Sequence, residues 1–117
     1  MTVKATIWHY PRCSKCRKTL AILRDEEVDV TVRQYRDDPP DLDTLTDVVD
    51  RLDVAPRELV RTNDSAFAEL DIDEASATDQ DWLELMVAHP ALIQRPVVII
   101  GEAAIVARPP ESVYEIL

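Results

Sequence analysis

Glycine, cysteine and long apolar runs are scarce in this sequence. The chain has one glycine and two cysteines, and two cysteines three positions apart are too few for the disulfide framework of a small secreted protein. No apolar run approaches the roughly 18 to 20 residues that cross a bilayer, and the N-terminus has no signal-peptide pattern. We therefore expect a cytoplasmic protein with no membrane partner.

Positive charge is also in short supply. Thirteen basic residues stand against 23 acidic ones, which gives a formal net charge of −10. Non-specific binding to nucleic acid needs lysine and arginine against phosphate, so we expect no nucleic-acid partner. We expect no metal site either, because only His9 and His89 are available to complete a four-ligand zinc site with the two cysteines.

The positive charge that is present is concentrated around the two cysteines. Residues 3–24 contain both cysteines, six of the 13 basic residues and none of the 23 acidic ones. The largely apolar run Val3–His9 predicts a central strand, and Pro11 ends it. Apolar residues then recur at helical spacing and predict a helix from about Ser14. These apolar residues are Cys16, Leu20 and Leu23.

The rest of the chain predicts three more strands and several helices. Valines that alternate with polar residues predict a second strand, with Val28, Val30 and Val32 on its buried face. The segment of about residues 41–89 predicts four or so helices, the last with Trp82, Leu85 and Met86 buried. Two apolar runs around Gly101 predict a type II′ hairpin. We therefore expect one α/β domain over residues 1–117, a monomer with a four-stranded mixed sheet.

Cys13 is the candidate nucleophile. A cysteine at the start of a helix lies beside unpaired backbone N–H groups and the positive end of the helix dipole, and both stabilise a thiolate. Cys16, one turn further on, is within reach of a disulfide with Cys13 and should be more buried. The other interpretation is that both are small core residues, but the strand, proline and helix context favours a redox-active pair.

Three arginines are candidate anion ligands. Arg95 precedes Pro96 at the start of one predicted hairpin strand, and Arg108 precedes Pro109 at the end of the other. Because these strand ends meet at one edge of the sheet, Arg95 and Arg108 should be neighbours. Isolated arginines, including Arg61, are more often surface charges, but their planar fork suits a tetrahedral oxyanion.

Several motifs, in order and at matching spacing, cover nearly the whole chain. They are His9-Tyr10-Pro11-Arg12-Cys13, Asp38-Pro39-Pro40, Leu59-Val60-Arg61, the segment from His89 to Pro96, and Arg108-Pro109. Together they closely resemble the glutaredoxin-linked arsenate reductase family. The resemblance implies a thioredoxin-like (glutaredoxin-like) fold, with a helical insertion at about residues 41–89 between the βαβ unit and the C-terminal β-hairpin.

The same resemblance implies a function and a site. Cys13 would attack arsenate or a similar oxyanion and form a covalent adduct, and Arg61, Arg95 and Arg108 would bind the oxyanion. No bound cofactor is implied, and an external thiol, from glutathione with glutaredoxin or from thioredoxin, would complete the reduction to arsenite. The resemblance also implies a cis Arg95–Pro96 peptide and a role for His9 in lowering the pKa of Cys13. A structural hydrogen bond at a strand end is the other interpretation of His9.

Cys16 leaves a second hypothesis open. The well-known glutathione-dependent arsenate reductases have no cysteine at this position, whereas the Spx transcriptional regulators resemble this chain in their CxxC pair. An Spx-like regulator would bind RNA polymerase and use Cys13 and Cys16 as a redox switch. We favour the enzyme, because the thiol and all three arginines are present. Cys16 is a candidate resolving thiol in either case, and its role stays open.

Overall fold

The computed structural model describes residues 2–117 as two compact units. The sheet unit comprises residues 2–38 and 95–117, and the helical unit comprises residues 39–94. The single domain over residues 1–117 stays a prediction. Within the described residues, no helix is long and apolar enough to cross a membrane.

The sheet unit contains four strands in the order β2-β1-β3-β4. Strand β1 (Lys4–Trp8) pairs in parallel with β2 (Asp29–Arg33) and antiparallel with β3 (Val97–Ile100). Strand β3 pairs antiparallel with β4 (Ala103–Val106). The predicted four-stranded mixed sheet is therefore confirmed, with the apolar strand β1 in a central position.

Helix α1 (Ser14–Asp25) connects β1 to β2 and covers the core of the sheet unit. Its apolar stripe is buried because Leu20 and Leu23 pack into a cluster with buried residues of the sheet and of the 3₁₀-helix Pro110–Glu115. The hairpin between β3 and β4 turns through Gly101, whose φ of +58° is a conformation that other residues rarely adopt. This agrees with the predicted turn.

The helical unit contains α2 (Leu42–Leu52), α3 (Ser65–Glu69) and α4 (Asp79–Ala88), together with the 3₁₀-helices Pro56–Leu59 and Pro90–Leu92. Helix α2 begins where predicted, because the Asp41 carboxylate accepts a hydrogen bond of 2.8 Å from the backbone N–H of Thr44. Helix α4 begins with a capping box, in which Thr78 and Asp81 each accept a hydrogen bond from the other's backbone N–H.

Two predictions of buried faces need correction. Val32 is 38% exposed, because β2 is an edge strand and alternation alone does not reveal how far the covering core extends. In α4, Trp82 and Met86 are buried as predicted, but Leu83 is buried where Leu85 was predicted and Leu85 is only half-buried. Neighbouring leucines in one helical turn carry the same apolar signal, so only packing decides between them.

Candidate functional site

Cys13 occupies the N-cap position of α1, at the tip of the strand-turn-helix segment. Its backbone is extended, and its N–H donates a hydrogen bond of 2.9 Å to the Tyr10 carbonyl, which fixes the turn. The thiol is half-buried and free. As the sequence predicted, the nucleophile candidate lies where the first N–H groups of the helix have no partner within the helix.

The surroundings of Cys13 favour its thiolate. Burial acts to raise the pKa of Cys13, but the backbone N–H and thiol of Cys16, the Arg95 side chain and the backbone N–H of Lys15 lower that pKa to about 7. A thiol with this pKa is about half ionised at pH 7, and the thiolate is the form that attacks. Cys13 therefore has the chemistry of a nucleophile.

Cys16 has the opposite properties. It is completely buried in the first turn of α1 and is a free thiol. Burial raises the pKa of Cys16 to about 12, the Tyr10 backbone lowers it, and the neighbouring Cys13 raises it further. At neutral pH Cys16 therefore stays protonated while Cys13 ionises, which separates the two thiols chemically.

Arg95 and Arg108 are neighbours, as predicted from the hairpin. The Arg108 guanidinium donates a hydrogen bond of 2.9 Å through NH1 to the Arg95 carbonyl. Arg95 is the closer of the two to the chemistry, because its side chain lowers the pKa of Cys13. Both residues precede a cis proline: the Arg95–Pro96 bond was implied by the family resemblance, whereas the Arg108–Pro109 bond was not predicted.

Two buried polar atoms next to Cys13 and Cys16 have no hydrogen-bond partner of ordinary geometry within residues 2–117. They are the Nε of Arg95 and the hydroxyl oxygen of the completely buried Tyr35, although the Arg95 side chain interacts with both Cys13 and Tyr35. Burial raises the pKa of Tyr35, while Arg95 lowers it and Cys16 raises it, so the phenol lies near both residues. Buried donors usually have acceptors. These two donors therefore lie beside the thiolate and have hydrogen-bonding capacity that an anion can use.

The sequence did not predict that Tyr35 lies at the site, nor did it predict the contacts of Tyr10. The Tyr10 ring lies against two guanidinium groups, with its centre 4.3 Å from the Arg36 carbon Cζ and 4.9 Å from that of Arg95. Tyr35 and Arg36 lie two and three residues after the end of β2, and the signal that would have found them is the parallel pairing of β1 with β2. The carboxyl ends of parallel strands meet at one edge of a sheet, where ligands bind.

His9 is buried at the end of β1, and its backbone N–H donates a hydrogen bond of 2.8 Å to the Arg33 carbonyl. Burial lowers the pKa of His9, and the positive charges of Arg24 and Arg17 lower it further. His9 is therefore neutral at pH 7, and its Nδ1 is buried without a partner in the part of the chain that the structure describes. The groups that lower the pKa of Cys13 do not include His9, and its effect on Cys13 stays a prediction.

Arg61 belongs to the helical unit, two residues after the end of the 3₁₀-helix Pro56–Leu59. Its backbone N–H donates a hydrogen bond of 2.7 Å to the Leu92 carbonyl. Its NH1 lies 3.8 Å from a carboxylate oxygen of Asp64. The side chain is therefore partly neutralised within its own unit, and its role in binding an anion stays a prediction.

No group of three or more His, Cys, Asp or Glu in residues 2–117 is arranged to hold a metal ion. The chemical groups that the site does offer are a thiolate, a second thiol and guanidinium donors. This set suits two-electron thiol chemistry on an anion.

Comparison with known proteins places these residues in a family. The family model described as the ArsC family matches residues 8–116. An uncharacterised protein in the glnII region of Streptomyces viridochromogenes is 40% identical over 95% of this chain and 97% of that protein. The arsenate reductase of Neisseria meningitidis serogroup A is 37% identical over 95% of this chain and 96% of that enzyme.

Solved structures agree with the sequence comparisons. The structure of the arsenate reductase from Vibrio cholerae superposes with a TM-score of 0.96, covers 100% of both chains and is 32% identical. The thioredoxin-like fold with its four-stranded mixed sheet is thereby confirmed.

Proposed function

Because this chain belongs to the ArsC family, we propose that it is a thiol-dependent oxidoreductase that reduces arsenate, or an oxyanion of similar shape, to arsenite. The observation that carries the proposal is the setting of Cys13. Its thiol, with a pKa of about 7, lies beside the Arg95 side chain, whose buried Nε has no partner in residues 2–117. A nucleophile and an anion-binding donor are thus present together.

In the first step, the Cys13 sulfur attacks arsenic and forms a sulfur–arsenic bond. Arsenic acid and the thiol give Cys13–S–AsO₃H₂ and one water, so an oxygen of the substrate leaves as water and no electrons move to arsenic. Arg95 and Arg108 bind the remaining oxygens, since guanidinium groups match oxyanions in charge and shape. Arg61 is proposed as a third ligand on the family resemblance.

In the second step, another thiol attacks the Cys13 sulfur. The sulfur–arsenic bond breaks, and its electron pair stays with arsenic, which passes from As(V) to As(III). The thiol's proton completes arsenious acid, and Cys13 is left in a disulfide. The second thiol comes from an external reductant or from Cys16, and glutaredoxin or thioredoxin then restores the Cys13 thiol.

The two thiols differ enough to give the reaction an order. Burial is the largest cause of the raised pKa of Cys16, whereas the pKa of Cys13 is about 7. At neutral pH only Cys13 is substantially ionised, and the thiolate is the form that attacks. The proposed order therefore has Cys13 acting first, with Cys16 or the external thiol acting second.

The enzyme is favoured over the Spx-like regulator, since the relatives described above include proteins named arsenate reductase. The test is arsenate-dependent oxidation of NADPH, coupled either to glutathione, glutaredoxin and glutathione reductase or to thioredoxin and its reductase. We expect turnover with at least one system. No turnover with either would exclude the proposed function.

A further inference from the structure

Three strand ends meet around the ring of Tyr10 in the sheet unit. Tyr10 lies two residues after β1, Arg36 lies three residues after β2, and Arg95 lies two residues before β3. Strand β1 is central, parallel to β2 and antiparallel to β3, so these three ends share one edge of the sheet. Arg36 and Arg95 therefore reach Tyr10 from the strands on either side of it.

The Tyr10 ring makes cation–π contacts with both guanidinium groups. Its centre lies 4.3 Å from Cζ of Arg36 and 4.9 Å from Cζ of Arg95, and such contacts are attractive within about 6 Å. Within residues 2–117, Arg36 forms no ion pair with a carboxylate that would draw it away from the ring. Arg36 is therefore available to hold the Tyr10 ring in place.

Arg95 has no acidic partner either. None of the ion pairs among the described residues includes it, and its Nε is buried without a hydrogen bond of ordinary geometry. A carboxylate that fixed this guanidinium would also occupy its N–H donors. A cation–π contact acts on the charge of the guanidinium and needs none of those donors. The Tyr10 ring can therefore hold Arg95 without taking up the groups that bind an anion.

The position of Arg95 matters because this side chain interacts with the nucleophile. Arg95 is one of the groups that lower the pKa of Cys13. An arginine side chain has many rotamers, so it keeps one position only where contacts hold it. The ring that contacts Arg95 belongs to the same turn as the thiol, because the Cys13 N–H donates its hydrogen bond of 2.9 Å to the Tyr10 carbonyl.

We propose that Tyr10 is a positioning residue: its ring, held in place by Arg36, keeps the Arg95 guanidinium beside Cys13 and leaves the N–H donors of Arg95 free for an oxyanion. Tyr10 acts through Arg95 and is not itself a ligand of the substrate. The use of the free donors rests on the proposed function, whereas the placement of Arg95 beside Cys13 is testable without any substrate.

The first test follows alkylation of Cys13 by iodoacetamide in the absence of arsenate. All variants carry Cys16→Ser, so that Cys13 is the only thiol. Tyr10→Leu keeps the backbone of the turn and removes the aromatic face. We expect the alkylation rate at pH 6 to fall about threefold to tenfold, the effect of one cation–π contact, and the midpoint of the pH profile to rise. Tyr10→Phe keeps the ring and should keep the parent profile.

Two comparisons separate positioning from a general loss of structure. Tyr10→Leu added to Arg95→Ala should not change the profile further, because the ring then has no Arg95 guanidinium to hold. Tyr114→Leu is the matched control, since Tyr114 is 51% exposed and no guanidinium lies over its ring within residues 2–117. It should keep the parent profile, and thermal unfolding checks that each variant is folded.

The second test is kcat/KM for arsenate, which Tyr10→Leu should lower about threefold to tenfold and Tyr10→Phe should leave unchanged. An unchanged Cys13 profile in Tyr10→Leu, or a shift of the same size when Arg95 is already alanine, would overturn the proposal. If the profiles change as expected while the parent protein does not turn over arsenate, the placement of Arg95 by Tyr10 stands and the proposed function fails.

Discussion

Cys13 and Cys16 lie three residues apart at the start of α1, yet their surroundings differ in solvent access and in polar contacts. At Cys13, burial is outweighed by the polar contacts of Cys16, Arg95 and Lys15, and the pKa falls to about 7. At Cys16, burial dominates and raises the pKa to about 12. Helix position and burial, rather than residue type, account for the difference in pKa between the two thiols, and this difference favours Cys13 as the nucleophile.

The largest expected effect is the difference in arsenate turnover between the Cys13→Ser and Cys16→Ser variants. Cys13→Ser should lower arsenate turnover by at least about 10³-fold, because a hydroxyl does not replace the thiolate nucleophile. Cys16→Ser should keep most of the turnover when glutathione and glutaredoxin supply the second thiol. The coupled NADPH assay compares them, and equal losses would contradict the division of roles between the two cysteines.

Arg95→Ala should have the next largest effect. Loss of one donor to a developing oxyanion costs about 10²- to 10³-fold in rate, and Arg95 also lowers the pKa of Cys13. The measurement is kcat/KM for arsenate. Arg57→Ala serves as the control, because this side chain is 58% exposed and pairs with Glu74 in the helical unit. Loss of the same size in both variants would argue against a specific role for Arg95.

The pH dependence of alkylation separates the two thiols directly. Only the thiolate reacts with iodoacetamide, so the rate in Cys16→Ser protein should rise with pH and reach half of its plateau near pH 7. In Cys13→Ser protein, Cys16 should remain unreactive at neutral pH. Arg95→Ala should move the Cys13 midpoint to higher pH. A midpoint in Cys16→Ser protein near that of an ordinary cysteine would contradict the pKa assigned to Cys13.

The smallest effect concerns stability, and of the two serine variants only Cys16→Ser should lower it. Cys16→Ser places a more polar hydroxyl in a completely buried position and should cost about 1–2 kcal/mol of unfolding free energy, although the hydroxyl keeps Cys13 as a neighbouring acceptor. Cys13→Ser places a favoured N-cap residue at the start of α1 and should be neutral or stabilising by up to about 1 kcal/mol. Urea unfolding measures both free energies. A larger loss of unfolding free energy in Cys13→Ser than in Cys16→Ser would contradict this prediction.

The residues that the sequence could place are those whose neighbours follow from local pattern. Cys13 was placed at a helix start by the apolar spacing after Pro11, and Arg95 and Arg108 were paired by the hairpin around Gly101. Each of these inferences depends only on one helix or on two strands that are adjacent in the sequence. The family resemblance added the cis Arg95–Pro96 bond, which no pattern of residues predicts.

The residues that the sequence reading missed depend on contacts between distant segments. Tyr35 and Arg36 reach the thiol turn only because β2 pairs in parallel with β1 and ends beside it, with Trp8 opposite Arg33. Tyr35 follows the alternating residues of the second strand, and nothing in the local sequence marks its hydroxyl as buried without a hydrogen bond of ordinary geometry. The exposure of Val32 was missed for a related reason, since burial depends on which elements cover the sheet.

The most direct test of the central claim is a single turnover in Cys16→Ser protein. Reduced protein is mixed with arsenate and glutathione in the absence of glutaredoxin, then arsenite is quantified and the protein is analysed by mass spectrometry. We predict one arsenite per chain and glutathione attached to Cys13 by a disulfide. Absence of arsenite, or arsenite formed while Cys13 stays unmodified, would contradict the assignment of Cys13 as the nucleophile.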